Sequence, residues 1–308
     1  LEEVASDESS SSLTTRRRAL VLVNHGARSG SLPIDSALDV LWAGGIEIAE
    51  EPMPSSSGLS DFIRERRGSI DCVIIGGGDG TLNRSAPAVM ANNIPFGILP
   101  LGTANDLART LGIGLDPISA AQVIVAGHIR TIDLGTVNGH PFFNVASIGF
   151  SAELAAELTA EAKRRWGTVG YALASAKLLG RTRPFTAFIE HDDETEKVKT
   201  VQIAVGNGRY YGGGLAIDHA AEPDDGVFNV YSLEVSHWSR LLALVPSLKR
   251  GTLGQQQDVR AFATKALTIR TRRARSVNTD GELTTATPAK FKVLPQAVRV
   301  FAPAPPQI

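Results

Sequence analysis

Short apolar runs recur through the first part of the chain, each followed by a turn-forming stretch and then by residues with helical spacing. Ala19–Val23, Ile46–Glu50, Cys72–Ile75 and Pro95–Leu99 read as strands. Helices are expected around Ile34–Trp42, over Leu59–Arg67, from about Leu82 to Ala91 and over Pro117–Ala126. Repeated β–loop–α units of this length imply a parallel sheet with helices on both faces. The rhythm changes near Ile132. Thr131–Asn138 and His140–Ile148 read as a hairpin across Asn138-Gly139. Ala152–Arg165 and Val169–Leu179 then read as helices. From Phe185 onward short runs dominate: Phe185–Glu190, Lys197–Val205, Val227–Ser232, Val259–Ala263, Ala266–Arg270, Lys290–Val293 and Ala297–Phe301. Many short strands with few helices between them predict an antiparallel sandwich. The expected architecture is an α/β N-terminal domain over residues 16–132 and a C-terminal antiparallel β-sandwich over 133–294. Residues 1–15, with the run Ser9–Ser12, have little to bury and read as a disordered tail.

Composition narrows the classes. The chain has 308 residues, 43% hydrophobic and 20% charged, which is ordinary for a globular protein and enough for two cores. A formal net charge of -1 gives no global argument for a nucleic-acid partner, and none is expected. The single cysteine, Cys72, excludes an intrachain disulfide framework and a cysteine-rich zinc site, so a reducing cytoplasm is the expected setting. No apolar run approaches the ~20 residues of a transmembrane helix, which argues against a membrane-embedded enzyme.

The candidate chemistry lies in the turns. Gly76-Gly77-Gly78-Asp79-Gly80-Thr81-Leu82-Asn83 follows a strand and precedes a helix, an arrangement whose free amides and helix dipole suit phosphate. Asp79 stands out, because a carboxylate beside phosphates repels them unless a cation or a proton transfer involves it. The turn after the first strand offers Asn24, Arg28 and Ser29 as phosphate contacts. A second turn, Leu99-Pro100-Leu101-Gly102-Thr103-Ala104-Asn105-Asp106, leaves the neighbouring strand. Thr103, Asn105 or Asp106 would cap the next helix, yet parallel strand ends bring both turns to one crevice, more than capping requires. Glu222-Pro223-Asp224-Asp225-Gly226-Val227 offers carboxylates in a turn, and Asp280-Gly281-Glu282 places two acids around a glycine. Each is weak alone. Gly206–Gly214 is a further glycine-rich loop, suited to lining a cleft or to an irregular turn.

In this order the motifs resemble the diacylglycerol kinase catalytic family, the soluble bacterial lipid kinases related to diacylglycerol, sphingosine and ceramide kinases. The likeness runs roughly from Arg17 to the C-terminus. It implies an ATP cleft between the two domains, with the end of the chain, about residues 295–304, returning to the first. It implies that Gly77, Gly78, Asp79, Gly80, Thr81 and Asn83 bind nucleotide phosphates with Gly102, Thr103, Asn105 and Asp106 beside them. Glu282 matches the acid that accepts the proton of the lipid hydroxyl, with Asp280 and Asp79 as nearby base or metal candidates. Asp225 matches a side-chain ligand of a structural Mg²⁺, with backbone carbonyls at Glu222 and Val227. Three departures are visible: His25 where the family usually has proline, Arg84 where it usually has glutamate, and the residue types at the carbonyl positions 222 and 227.

The implied reaction is ATP-dependent phosphorylation of a lipid alcohol, with diacylglycerol, phosphatidylglycerol, a sphingoid base and a polyprenol all open as acceptor. Such an enzyme is expected to be cytoplasmic with transient contact at the inner membrane surface. Lys163, Arg164, Arg165, Trp166, Lys177, Arg181 and Arg183 are a candidate docking stretch, though solvated helix charge is the simpler reading. Oligomeric state is not legible. NAD kinase shares the Gly-Gly-Asp-Gly-Thr loop, but its Asn-Asn-Glu motif is missing, since Asn92-Asn93 is followed by Ile94. A non-catalytic nucleotide sensor is the third alternative.

Overall fold

The computed structural model describes residues 16–24, 34–157, 182–211, 215–216, 221–235 and 256–305, with 247, 252 and 254. The tail 1–15, His25, Arg28, Ser29, most of the predicted docking stretch and the helix expected at 169–179 lie outside them.

Four strands, β1 (Arg17–Val23), β2 (Ile46–Pro52), β3 (Cys72–Gly77) and β4 (Phe96–Pro100), form a parallel sheet in the order β2-β1-β3-β4. The central strands β3 and β4 are buried throughout, as expected of parallel strands covered on both faces. The edge strand β2 alternates with exposed acids and ends on Pro52, which suits an edge. Helices α1 (Ile34–Ala43), α2 (Leu59–Arg66), α3 (Asp79–Asn92), α4 (Asp106–Thr110) and α5 (Pro117–Ala126) connect them. The chain steps one way from β1 to β2 and the other way from β2 to β3. Right-handed crossovers therefore place α1 on one face and α2 and α3 together on the other, and α5, which leads out of the parallel sheet, packs beside α1. That reversal makes the gap between the ends of β1 and β3 a topological switch point, where open α/β sheets bind ligands.

The remaining strands build a sandwich. β5 (Ile129–Val137), β6 (His140–Phe142), β8 (Phe185–His191), β9 (Glu194–Thr200), β15 (Ala266–Thr271) and β18 (Ala289–Phe301) form one layer. The opposing layer runs β14-β13-β10-β7-β16-β17, from β7 (Val145–Gly149), β10 (Gln202–Gly206), β13 (Phe228–Leu233), β14 (Val259–Thr264), β16 (Ser276–Thr279) and β17 (Glu282–Ala286). A short ribbon, β11 (Tyr210–Tyr211) with β12 (Leu215–Ala216), lies apart, and α6 (Phe150–Glu157) follows β7. Alternation sets the inward faces: Phe185, Ala187 and Ile189 of β8 with Leu267 and Ile269 of β15. Phe142 stacks on Phe228 at 5.8 Å between centroids, and Phe291 meets both rings edge-on.

β18 joins the halves. It pairs antiparallel with β5 and β15 and reaches β4 in parallel at Val300 opposite Phe96, making the first layer continuous with the parallel sheet. The two strands expected at 290–293 and 297–301 are thus one, interrupted by a bulge between Leu294 and Val298. Two other expectations are corrected in the opposite sense. The run 140–148 divides into β6 and β7 in different layers, and 197–205 divides into β9 and β10, also in different layers. At the second break the Thr200 hydroxyl lies 2.8 Å from the Gln202 carbonyl and 2.9 Å from that of Leu233, holding the chain as it changes sheet. The helix expected over 152–165 is described only as α6.

Candidate active site

The glycine motif is less loop than its sequence suggests. β3 runs through Gly77, Gly78 is the N-cap, and α3 starts at Asp79, so residues 79–83 form its first turn and not a connecting loop. Thr81 and Leu82 amides donate to the Gly78 carbonyl at 2.9 and 3.1 Å. Gly78 supplies no side-chain cap, so the positive end of the helix is left open to an anion. The Asn24 amide donates to the Gly76 carbonyl at 2.9 Å, and Asn24 Nδ2 donates to Thr81 Oγ1 at 2.9 Å, tying the end of β1 to this turn at the switch point.

The second turn lies against the first. Leu101 donates its amide to the Gly77 carbonyl at 3.0 Å. A methyl group placed on Gly102 would lie 2.5 Å from the Gly78 α-carbon, and one on Gly78 would lie 2.9 Å from that of Gly102. The two backbones touch, and only glycine fits at the contact. Asn105 closes this turn: its Oδ1 accepts from the Gly102 amide and its Nδ2 donates to the Gly102 carbonyl, both at 2.9 Å. Its left-handed φ of 52° is a conformation asparagine tolerates. Thr103 stands exposed at the tip, whereas Asp106 is buried. The Asp79 carboxylate points to this second turn and accepts the Leu107 amide at 3.3 Å. Burial pushes its carboxyl up, while the amides of Leu107, Asp106 and Asn105 pull it back.

The third element comes from the sandwich. Asp280 and Gly281 both have positive φ, 47° and 93°, as a two-residue hairpin turn of the Asp-Gly kind requires. Asp280 is half-buried and its carboxylate is ringed by donors. Its Oδ1 accepts from the Asn144 and Val145 amides at 3.0 and 2.9 Å, and its Oδ2 from the Phe143 amide at 2.7 Å and Asn83 Nδ2 at 2.9 Å. Burial lifts this carboxyl to about 6, against the four donors. Those three consecutive amides mark the place where the chain passes from β6 to β7, so Asp280 holds both the crossover and α3. Two residues on, Glu282 is part-exposed and ion-pairs with Arg84 of α3. A methyl group on Gly80 would lie 2.7 Å from Glu282 Oε1, so the carboxylate sits against the first turn of α3.

The acidic turn at 222–227 lies elsewhere, beside β5. Asp225 folds back on its own turn, Oδ2 accepting the Glu222 amide at 3.2 Å and Oδ1 the Val227 amide at 3.0 Å. Desolvation, and then the neighbouring Asp133 and Asp224, push its carboxyl up. The Glu222 side chain is taken by Arg130 and Arg209, and Arg130 also binds Asp224. No cluster of three or more ligating side chains occurs among the described residues. The donor set fits a hard cation held by one carboxylate with backbone carbonyls, since a divalent charge would relieve crowded acids. Asp133, which the sequence reading passed over, organises this region. Its Oδ2 accepts the Gly226 amide and its Oδ1 the Gln296 amide, both at 2.7 Å, pinning the turn to the bulge of β18. Its only signal was a carboxylate within the apolar run Ile132-Asp133-Leu134.

Two family models match in succession: the diacylglycerol kinase catalytic domain over residues 18–137 and the YegS C-terminal NAD kinase beta sandwich-like domain over 144–302. The chain belongs to the diacylglycerol kinase catalytic family. A Pseudomonas aeruginosa (strain UCBPP-PA14) relative named "Probable lipid kinase YegS-like" is 30% identical over 92% of this chain and 94% of the relative. A "Diacylglycerol kinase" of Mycobacterium tuberculosis (strain ATCC 25618 / H37Rv) is 32% identical over 76% of this chain and 77% of its own length. A crystal structure from Bacillus anthracis strain Sterne, described as a candidate diacylglycerol kinase, superposes with a TM-score of 0.78 at 25% identity, covering 96% of this chain and 98% of that one.

In this member of the diacylglycerol kinase family the first turn of α3 also walls a cavity of about 270 Å³. Asn24, Ser55, Ser56, Thr81, Arg84 and Ser85 supply its polar lining, and Arg84 is its one charged group among the described residues. No described helix is long and apolar enough to cross a membrane. Gly206-Asn207-Gly208 packs inward, Asn207 Nδ2 donating to the Phe143 and Asp133 carbonyls at 2.9 and 3.2 Å, so this part of the loop braces the crossover.

Proposed function

We propose that the chain is an ATP-dependent lipid kinase that transfers the γ-phosphoryl group to the hydroxyl of a lipid alcohol such as diacylglycerol. The observation that carries this reading is the seat of Glu282 against Gly80, at the open end of α3 and beside the Gly78–Gly102 contact. A proton acceptor and a phosphate cradle in one place are what transfer to an alcohol requires. The nucleotide lies on residues 16–132 with 295–304, and the lipid on 133–294.

The open N-terminal end of α3 and the Thr103 tip bind the polyphosphate. As the lipid oxygen bonds to the γ-phosphorus and the bond to the β–γ bridging oxygen breaks, the hydroxyl proton passes to the Glu282 carboxylate and ADP leaves. Asp280 has all four of its hydrogen bonds engaged and acts by positioning α3 and the crossover. Asp79 acts likewise on α4. Mg²⁺, when bound, supplies charge neutralisation at the phosphates and, at Asp225, a brace for the 222–227 turn. The lipid is reached by transient contact with a membrane surface from the cytoplasm. The test is a panel of lipid alcohols with labelled ATP: lipid-dependent label transfer is expected, and ATP consumption that no lipid stimulates would overturn the reading.

A further inference from the structure

Arg84 is the position at which this chain carries a charge opposite to the one expected from its motif, and the fold gives that charge a specific place. It lies one turn into α3, lines the 270 Å³ cavity on one side and pairs with Glu282 on the other. Its guanidinium Nη1 lies 3.6 Å from where a Gly80 methyl would stand. None of the described residues lining the cavity is acidic, so Glu282 is the only described carboxylate with which it forms an ion pair. Arg84 is 45% and Glu282 41% exposed at the side chain, so the pair is solvated and exchangeable.

We propose that Arg84 is a nucleotide-responsive positioning residue. Without nucleotide it holds Glu282 at the edge of the cradle, and a polyphosphate bound there competes with Glu282 for the guanidinium. This rests on the kinase reading above. A phosphate group offers a planar guanidinium denser charge and more acceptor oxygens than one carboxylate, so the exchange runs toward the nucleotide. Binding and release are linked: the nucleotide frees Glu282 to meet the lipid hydroxyl, and Glu282 in turn weakens nucleotide binding.

The test is equilibrium titration of the full chain with a non-hydrolysable ATP analogue and Mg²⁺. Arg84→Ala is expected to weaken binding by about tenfold, the loss of one charge-assisted contact, with Arg84→Lys recovering part of it. Glu282→Gln is expected to tighten binding by about two- to fivefold, the scale of an exposed ion pair. In the Arg84→Ala background that tightening disappears, because an unpaired Glu282 turns to water. Equal affinity of wild type and Arg84→Ala would overturn the inference alone, as would undiminished tightening by Glu282→Gln in the Arg84→Ala background. A wild-type chain that binds no nucleotide overturns the kinase reading and the inference together. Circular dichroism of each variant separates lost binding from lost folding.

Discussion

Replacing Gly102 by alanine probes the contact on which the cradle depends. The new methyl would stand 2.5 Å from the Gly78 α-carbon and 2.7 Å from Asn105 Oδ1, the atom that closes the turn. Carbon atoms pack at roughly 3.5–4.0 Å, so the two turns must part by about 1 Å or more. Neither neighbour yields easily, since one is backbone and the other is held by two hydrogen bonds to Gly102 itself. Such overpacking costs about 1–3 kcal/mol, or a melting temperature lower by roughly 2–5 °C in a chain of this size. A displacement of ~1 Å at a positioning element costs about 10²-fold in rate. Gly68 is the control, because a methyl there meets nothing within 4 Å and its φ is not left-handed. Thermal unfolding followed by circular dichroism, with kcat/KM for ATP at saturating lipid, reads both effects. Gly102→Ala is expected to lose stability and about two orders of magnitude in kcat/KM while Gly68→Ala stays within about 0.5 kcal/mol of wild type. Wild-type kcat/KM in Gly102→Ala would show that the close approach of the turns does not position the phosphates.

Other outcomes follow from the same geometry. Asp280 sits at about 6 against an ordinary 3.8, so between those values the folded chain holds a proton that the unfolded chain has released. Its contribution to stability is therefore full below about 4 and declines as pH rises through about 6; Asp280→Asn should flatten that part of the melting-temperature profile, and an unchanged profile would contradict the assignment. Chelator-treated protein is expected to gain melting temperature on adding Mg²⁺, and Asp225→Asn to lose that gain, whereas an equal gain in both places the ion elsewhere. Asn207→Ala removes two donors from buried carbonyls and should cost about 1–3 kcal/mol in thermal or urea unfolding; a neutral result would show that the crossover needs no brace.

What was legible in the sequence was local. Short apolar runs marked most strands, and the ordered motifs carried the family. The breaks between β6 and β7 and between β9 and β10 were hidden because the chain stays buried while changing sheets, through Phe142, Phe143, Asn144 and Val145 at the first and through Thr200, Val201 and Gln202 at the second. Pattern records burial, and both layers of a sandwich bury residues in the same core. β17 escaped because Glu-Leu-Thr-Thr-Ala has no buried face to announce it. The start of α3 was misplaced since glycines near a helix N-terminus look like loop. Long-range pairs were beyond reach. Asn83 with Asp280 and Arg84 with Glu282 are each separated by nearly two hundred positions and meet through the packing of the two halves, which β18 joins.

The central claim is that Glu282 accepts the proton of a lipid hydroxyl while phosphate rests on α3. Labelled ATP, Mg²⁺ and mixed micelles of diacylglycerol or another lipid alcohol, assayed with wild type and Glu282→Gln, test it most directly. Label in the organic phase that falls by about 10²-fold or more in Glu282→Gln, with both proteins equally folded, is the predicted result. Turnover by Glu282→Gln at the wild-type rate would contradict it.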